Sequence, residues 1–175
     1  MDTQNGRVES HHGVFMNVES YGILIIGLPA IGKSSLALEL LSQSYQLIAD
    51  DVVDFSCSNN IISGHCPPML SGLLHTRELG LISVHSVFGS KAWHSQYQLD
   101  YVIELTQQFD SKIDLVLQKR SYEVLSHTFP LLTLSLTAPA SLSARLLCWL
   151  KMQENPDAAV NELKQHRYTS MSVAK

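Results

Sequence analysis

Gly27-Leu28-Pro29-Ala30-Ile31-Gly32-Lys33-Ser34 is the stretch on which the fold turns: a complete G-x-x-x-x-G-K-S pattern. Upstream, residues 23–26 form an apolar run of strand length, and downstream Ser35-Leu36-Ala37-Leu38-Glu39-Leu40-Leu41 reads as a helix extending from Lys33 to about Gln43. A strand that feeds a tight glycine turn at a helix N-terminus aims main-chain N–H groups at an anion. In that setting Lys33 can reach between phosphates, and Ser34 can offer its hydroxyl to Mg²⁺. The pattern therefore predicts a phosphate loop on an α/β sheet, with residues 27–34 as the nucleotide-binding set.

The rest of the chain fits around that unit. Val14 to Val18 reads as a strand ahead of the turn Glu19-Ser20-Tyr21-Gly22. Gln46-Leu47-Ile48-Ala49 is the next strand and ends on Asp50-Asp51. Val52 to Phe55, the turn residues 56–60 and Ile61-Ile62 predict a hairpin. Residues 63–68 read as a loop, residues 79–84 as a strand, residues 85–93 as a mixed loop and residues 99–105 as a strand. Residues 107–119 are ambiguous between helix and strand. Residues 129–136 look like a strand, at an edge or at its start because of Pro130. Ser141 is a plausible N-cap for a helix carrying Leu142, Leu146, Leu147 and Leu150. Asn155-Pro156 looks like the cap and first position of a second helix, running to about His166. One domain over residues 1–168 is expected, with residues 169–175 a loose tail.

Composition narrows the function classes. The 175 residues are 45% hydrophobic and 16% charged with a net charge of -4, which suits one globular core and offers no broad basic surface for nucleic acid. Cys57, Cys66 and Cys148 are odd in number and far apart, as free thiols in a reducing compartment would be. No apolar run approaches a membrane span or a signal segment, so a cytoplasmic location is expected.

Asp50-Asp51 is the second strong feature. Paired acids at a strand end, shortly after a loop-helix unit, can lie beside a γ-phosphate. One would meet Mg²⁺ through water while the other takes a proton from an incoming hydroxyl. Adjacent acids on a regular strand would point to opposite faces, and an Asp pair capping a turn is the plainer reading. Arg77 read alone is equally a surface ion-pair partner, and His12 a hydrogen-bonded or surface histidine.

Four blocks, in order, resemble the catalytic domain of the HPr kinase/phosphorylase family, especially its short single-domain proteobacterial members. They are His11-His12-Gly13-Val14, the octamer with its helix, residues 47–52 (L-I-A-D-D-V), and residues 67–82 (P-P-M-L-S-G-L-L-H-T-R-E-L-G-L-I). Residues 129–150 are weakly similar to the family's closing strand and helix. The resemblance implies a compact single α/β domain, a P-loop on a mixed sheet related to phosphoenolpyruvate carboxykinase, and assembly as a homo-oligomer, often a hexamer. It implies ATP and Mg²⁺ as cofactors and an HPr-like phosphocarrier protein as partner, phosphorylated on serine, with phosphorolysis in reverse. On that basis Asp51 would accept the serine proton, His12 would lie beside it, Lys33 would bridge phosphates, and Arg77 would organise the segment facing the phosphoryl group. Asp50 would join this catalytic set. The metal set would be Ser34, Asp50, His75 and Glu78.

The chain departs from the family pattern at three places. His75 stands where the family has a metal-associated glutamate, and Glu78 where it has glycine after the arginine. Ala30 and Pro29 replace loop residues that would give the backbone more freedom and one more N–H. His11 has no implied role and is expected at the surface, as is Arg145 on the solvated face of its helix. Two other readings stay open: a kinase of the same fold with another protein or small-molecule substrate, and a non-catalytic nucleotide-binding regulator.

Overall fold

Alternate residues of the apolar run at 23–25 face opposite ways, and this splits the core into two layers about one sheet. The computed structural model describes residues 7–108 and 119–173. Its elements in chain order are β1 (Val8–His12), β2 (Val14–Val18), β3 (Tyr21–Gly27), α1 (Lys33–Ser42), β4 (Gln46–Ala49), β5 (Val52–Ser58) and β6 (Ile61–His65). They continue with β7 (Leu73–Thr76), β8 (Gly80–Ser83), α2 (Val84–Phe88), β9 (Gln96–Gln98) and β10 (Tyr101–Thr106). After these come β11 (Arg120–Val124), β12 (His127–Ser135), α3 (Leu142–Glu154) and α4 (Ala158–Val173).

Six strands form a mixed sheet in the order β11-β12-β10-β3-β2-β4, with β10 parallel to both β3 and β12. An antiparallel sheet, β1-β5-β6-β9, packs on one face of it, and β7-β8 is a separate hairpin. Ile23 and Ile25 of β3 turn toward the helices and pack with Leu36 and Leu40 of α1 and Leu146 and Trp149 of α3. Leu24 turns the other way and packs with Phe15, Phe55, Ile62, Val102 and Val124 between the two sheets. Each fully buried side chain of this size contributes about 1.5–3 kcal/mol. Because β3 is an interior strand covered on both faces, its C-terminal end delivers the 27–34 loop from the buried middle of the sheet.

The expected elements are found, with several corrections. The hairpin turn is only Asn59-Asn60, both at positive φ (50° and 64°), and β6 continues through His65 where a loop was expected. Pro130 lies inside β12, between β11 and β10, and not on an edge strand. It is tolerated one residue before Leu131, where the register with β10 begins. Ser141 does cap α3, its hydroxyl accepting the Ala144 N–H at 3.2 Å. The last helix begins at Ala158, not at Pro156. Strands β1, β7, β9 and β11 and the short helix α2 were not anticipated. Most of the ambiguous stretch, residues 109–118, lies outside the described residues. Cys57, Cys66 and Cys148 are free. Among the described residues no helix is long and apolar enough to cross a membrane.

Candidate active site

The loop after β3 is shaped by three positive backbone angles: Gly27 (φ 144°), Ala30 (φ 64°) and Gly32 (φ 111°). The bond from the Ile31 N–H to the Leu28 carbonyl (3.2 Å) closes its turn. Gly32 is the N-cap of α1 in the left-handed region, and no side chain caps the helix. The first-turn N–H groups therefore point out of the helix without a protein acceptor from its own cap, the arrangement that favours an anion. Lys33 Nζ donates to the carbonyls of Gly27 and Leu28, each at 3.0 Å, so the ammonium is folded over the loop.

Asp50 and Asp51 are separated by a strained bend, which turns their side chains in opposite directions. Asp51 has φ 71°, and the Val52 N–H bonds the Asp50 carbonyl at 2.9 Å across it. A tight turn of this kind is rare for a residue other than glycine. Asp50 is thereby turned inward and is only 7% exposed. Its carboxylate accepts from the Ser34 hydroxyl (3.1 Å, Oδ1) and the His75 N–H (2.8 Å, Oδ2). Burial pushes the Asp50 carboxyl above the usual carboxylate range, the Asp51 charge adds to this, and the His75, Ser34 and Asp51 hydrogen bonds oppose it. The Asp51 side chain turns outward, 76% exposed, with His12 Nδ1 3.8 Å from its Oδ1. His12 Nδ1 also lies 3.2 Å from the Asp51 carbonyl oxygen, which accepts the Gly13 N–H as well (3.1 Å). A carbonyl can only accept, so that contact places a proton on Nδ1 of His12.

These groups border a cleft of about 820 Å³. The loop contributes Pro29, Ala30, Gly32, Lys33 and Ser34, the bend contributes Asp50 and Asp51, and the β7-β8 hairpin contributes His75, Thr76, Arg77 and Glu78. Leu38, Leu70, Leu73, Leu79 and Leu81 supply an apolar wall. Gly27, Leu28 and Ile31 of the octamer do not line it: Ile31 is buried in the core and Leu28 is 72% exposed. His12 is also outside the lining and reaches the site only through Asp51. Of the expected metal set, Ser34 and Asp50 are in direct contact. His75 meets Asp50 through its main chain while its side chain is exposed, and Glu78 lines the cleft. Among the described residues, no three His, Cys, Asp or Glu side chains converge as a metal cage.

Two expectations outside the cleft are corrected. His11 is not a surface residue: its side chain is 12% exposed and bonds Glu9 and Tyr122. Arg145 is half-buried and donates to the carbonyls of Ser135, Ala140 and Ser141, tying α3 to the end of β12.

A mixed-sheet α/β domain, with a glycine loop opening the first helix and a carboxylate pair ending the next strand, defines the class. The chain belongs to the HPr serine kinase C-terminal domain family, whose model matches residues 4–155. The HPr kinase/phosphorylase of Cupriavidus metallidurans is 36% identical over 134 residues, 75% of this chain and 42% of that protein. That of Bordetella petrii is 43% identical over 97 residues, 55% of this chain and 32% of that protein. The chain thus spans less than half the length of these curated relatives. The solved structure of the HPr(Ser) kinase/phosphatase from Coxiella burnetii superposes with a TM-score of 0.73 at 26% identity, covering 90% of this chain and 97% of that one.

Proposed function

We propose that the chain is an ATP-dependent kinase that phosphorylates a serine of an HPr-like phosphocarrier protein, and that it runs phosphorolysis in reverse. The observation that carries this reading is the division of labour at the bend: Asp50 faces Ser34, and Asp51 faces the open cleft beside His12. The family membership and the C. burnetii superposition support it.

In this reading residues 27–34 act as a P-loop on a phosphoenolpyruvate carboxykinase-like domain. The loop N–H groups and Lys33 hold the polyphosphate, for which Lys33 must leave the Gly27 and Leu28 carbonyls. Ser34 and Asp50 form an all-oxygen pair that suits Mg²⁺, an ion commonly held by one or two carboxylates together with substrate phosphates. Mg²⁺ bound there would neutralise charge on the phosphates. An imidazole suits that ion poorly, so His75 contributes through its N–H to Asp50 and not as a ligand. Asp51 orients the serine hydroxyl and takes its proton as the serine oxygen bonds the γ-phosphorus and the bond to the β-phosphate oxygen breaks. In phosphorolysis inorganic phosphate attacks the phosphoserine phosphorus, the bond to the serine oxygen breaks as pyrophosphate forms, and Asp51 returns the proton to that oxygen. Arg77, exposed on the cleft wall, is free to meet the transferring phosphoryl group.

The test is incubation with γ-labelled ATP, Mg²⁺ and the organism's HPr-like protein. Label on a serine, lost in Asp51→Asn, is the expected result. Tight ATP binding without transfer to that protein would overturn the proposal.

A further inference from the structure

The strand that carries His12 lies at the edge of its sheet. There β1 is registered with β5 through pairs such as His12↔Val52 and His11↔Val53. The His12 side chain is 85% exposed, and among the described residues its polar contacts are with Asp51. A side chain that open cannot hold its own orientation, so whatever fixes the end of β1 fixes the imidazole.

The inner face of β1 supplies that restraint. His11 Nε2 lies 2.7 Å from Glu9 Oε1, and His11 Nδ1 lies 2.9 Å from the Tyr122 hydroxyl on β11. The second oxygen of Glu9 accepts the Leu125 N–H at 2.9 Å, at the turn joining β11 to β12. The His11 ring stands edge-on to Phe55 of β5 and to Tyr122, each at 5.6 Å. One polar chain therefore staples β1, in the four-stranded sheet, to a hairpin of the six-stranded sheet. The groups around it also specify the proton. Burial pushes the Glu9 carboxyl up, but the Leu125 and His11 hydrogen bonds and the nearby His11 and Arg7 charges outweigh it, leaving the group below the usual value. Glu9 is therefore an ionised acceptor, His11 Nε2 carries a proton toward it, and the Tyr122 hydroxyl meets Nδ1 on the other side of the ring. Burial, and then the Glu9 charge, push the Tyr122 phenol up and keep its proton in place.

We infer that His11, held between Glu9 and Tyr122, is a positioning residue that locks the end of β1 so that His12 stays on Asp51. The inference rests on the catalytic reading of Asp51 given above, and it adds a residue to which the sequence resemblance assigns no role.

Tyr122→Phe keeps the ring and removes only the hydroxyl. The expected result is a fall in kcat for phosphoryl transfer of about 3- to 10-fold, a fraction of what a 1 Å misplacement can cost, with the KM for ATP within about twofold of wild type. Ring ¹⁵N shifts of His12 should move from a pattern with the proton on Nδ1 toward the mixture of a free imidazole. His11→Leu should reproduce both changes, and His11→Gln, whose amide can both donate and accept, should restore kcat in part. Ser10→Ala, which cuts the bond from the opposite face of β1 to Asp54, should change neither. Wild-type kcat and an unmoved His12 signal in folded Tyr122→Phe would overturn the inference. So would equal losses in Ser10→Ala, which would trace the effect to loosening of the strand as a whole. If the wild type transfers no phosphate, the catalytic reading fails, and the His12 signal still decides whether the staple holds the imidazole.

Discussion

Removing the Ser34 hydroxyl isolates the contact that joins the glycine loop to the acidic bend. The bond to Asp50 Oδ1 spans 3.1 Å, and among the described residues the other donor on that carboxylate from outside the bend is the His75 N–H. Hydrogen bonds to a charged group contribute about 1.5–3 kcal/mol. The cleft borders Asp50, so water can replace the hydroxyl in part, and Ser34→Ala should cost about 1–2 kcal/mol at neutral pH. For a domain of this size that is a fall in Tm of about 2–8 °C. The pH dependence has a definite sign. The Asp50 carboxyl is raised in the folded protein, so the folded state binds that proton more tightly than the unfolded chain does. Its contribution to stability is full below the unfolded pKa and is lost as pH rises through the folded one. Asp50→Asn should therefore stabilise the protein at neutral pH, with the gain fading as pH falls through the carboxylate range. In that background Ser34→Ala should lose much of its effect, giving a coupling of about 1 kcal/mol in a double-mutant cycle followed by urea denaturation. Additive effects of the two substitutions, or a Ser34→Ala protein as stable as wild type, would refute the reasoning.

Three further outcomes are expected. Gly32 has φ 111°, and a Cβ added there would meet nothing within 4 Å, so Gly32→Ala should cost about 1–3 kcal/mol through backbone strain alone, read by chemical denaturation, and should weaken nucleotide binding. Leu40 is fully buried where α1 meets the sheet, and Leu40→Ala should cost about 2–5 kcal/mol in the same assay. Burial and the hydrogen bond to Glu19 push the Tyr45 phenol up to about 12, so an ultraviolet pH titration should show it ionising late, and Glu19→Gln should bring it down.

What was legible in the sequence is what local chemistry dictates. The apolar run into β3, the glycine and lysine positions of the loop, and the serine cap of α3 each follow from contacts within a few residues. Strand β11 (Arg120–Val124) could not be read this way, because its polar sequence becomes a strand by pairing with β12. β7 hides in the same manner: only Leu74 and Thr76 of its four residues are buried, and its partner β8 completes the pattern. His11 escaped because β1 alternates among polar residues, so no apolar period marks its inner face. At Asp50-Asp51 the residue types alone raised the expectation of a working carboxylate pair, and they could not say which way each side chain turns. The positive φ at Asp51, which turns one acid inward and the other outward, comes from the way β4 hands the chain to a different sheet.

The most direct measurement is phosphoserine formed on the HPr-like protein over time, followed by mass spectrometry with ATP and Mg²⁺, for wild type and Asp51→Asn side by side with nucleotide affinity. The expected result is one modified serine with the wild type, a rate reduced at least about 100-fold in Asp51→Asn, and ATP affinity nearly unchanged. Equal rates in the two proteins, or no phosphoserine from a wild type that binds ATP, would contradict the assignment.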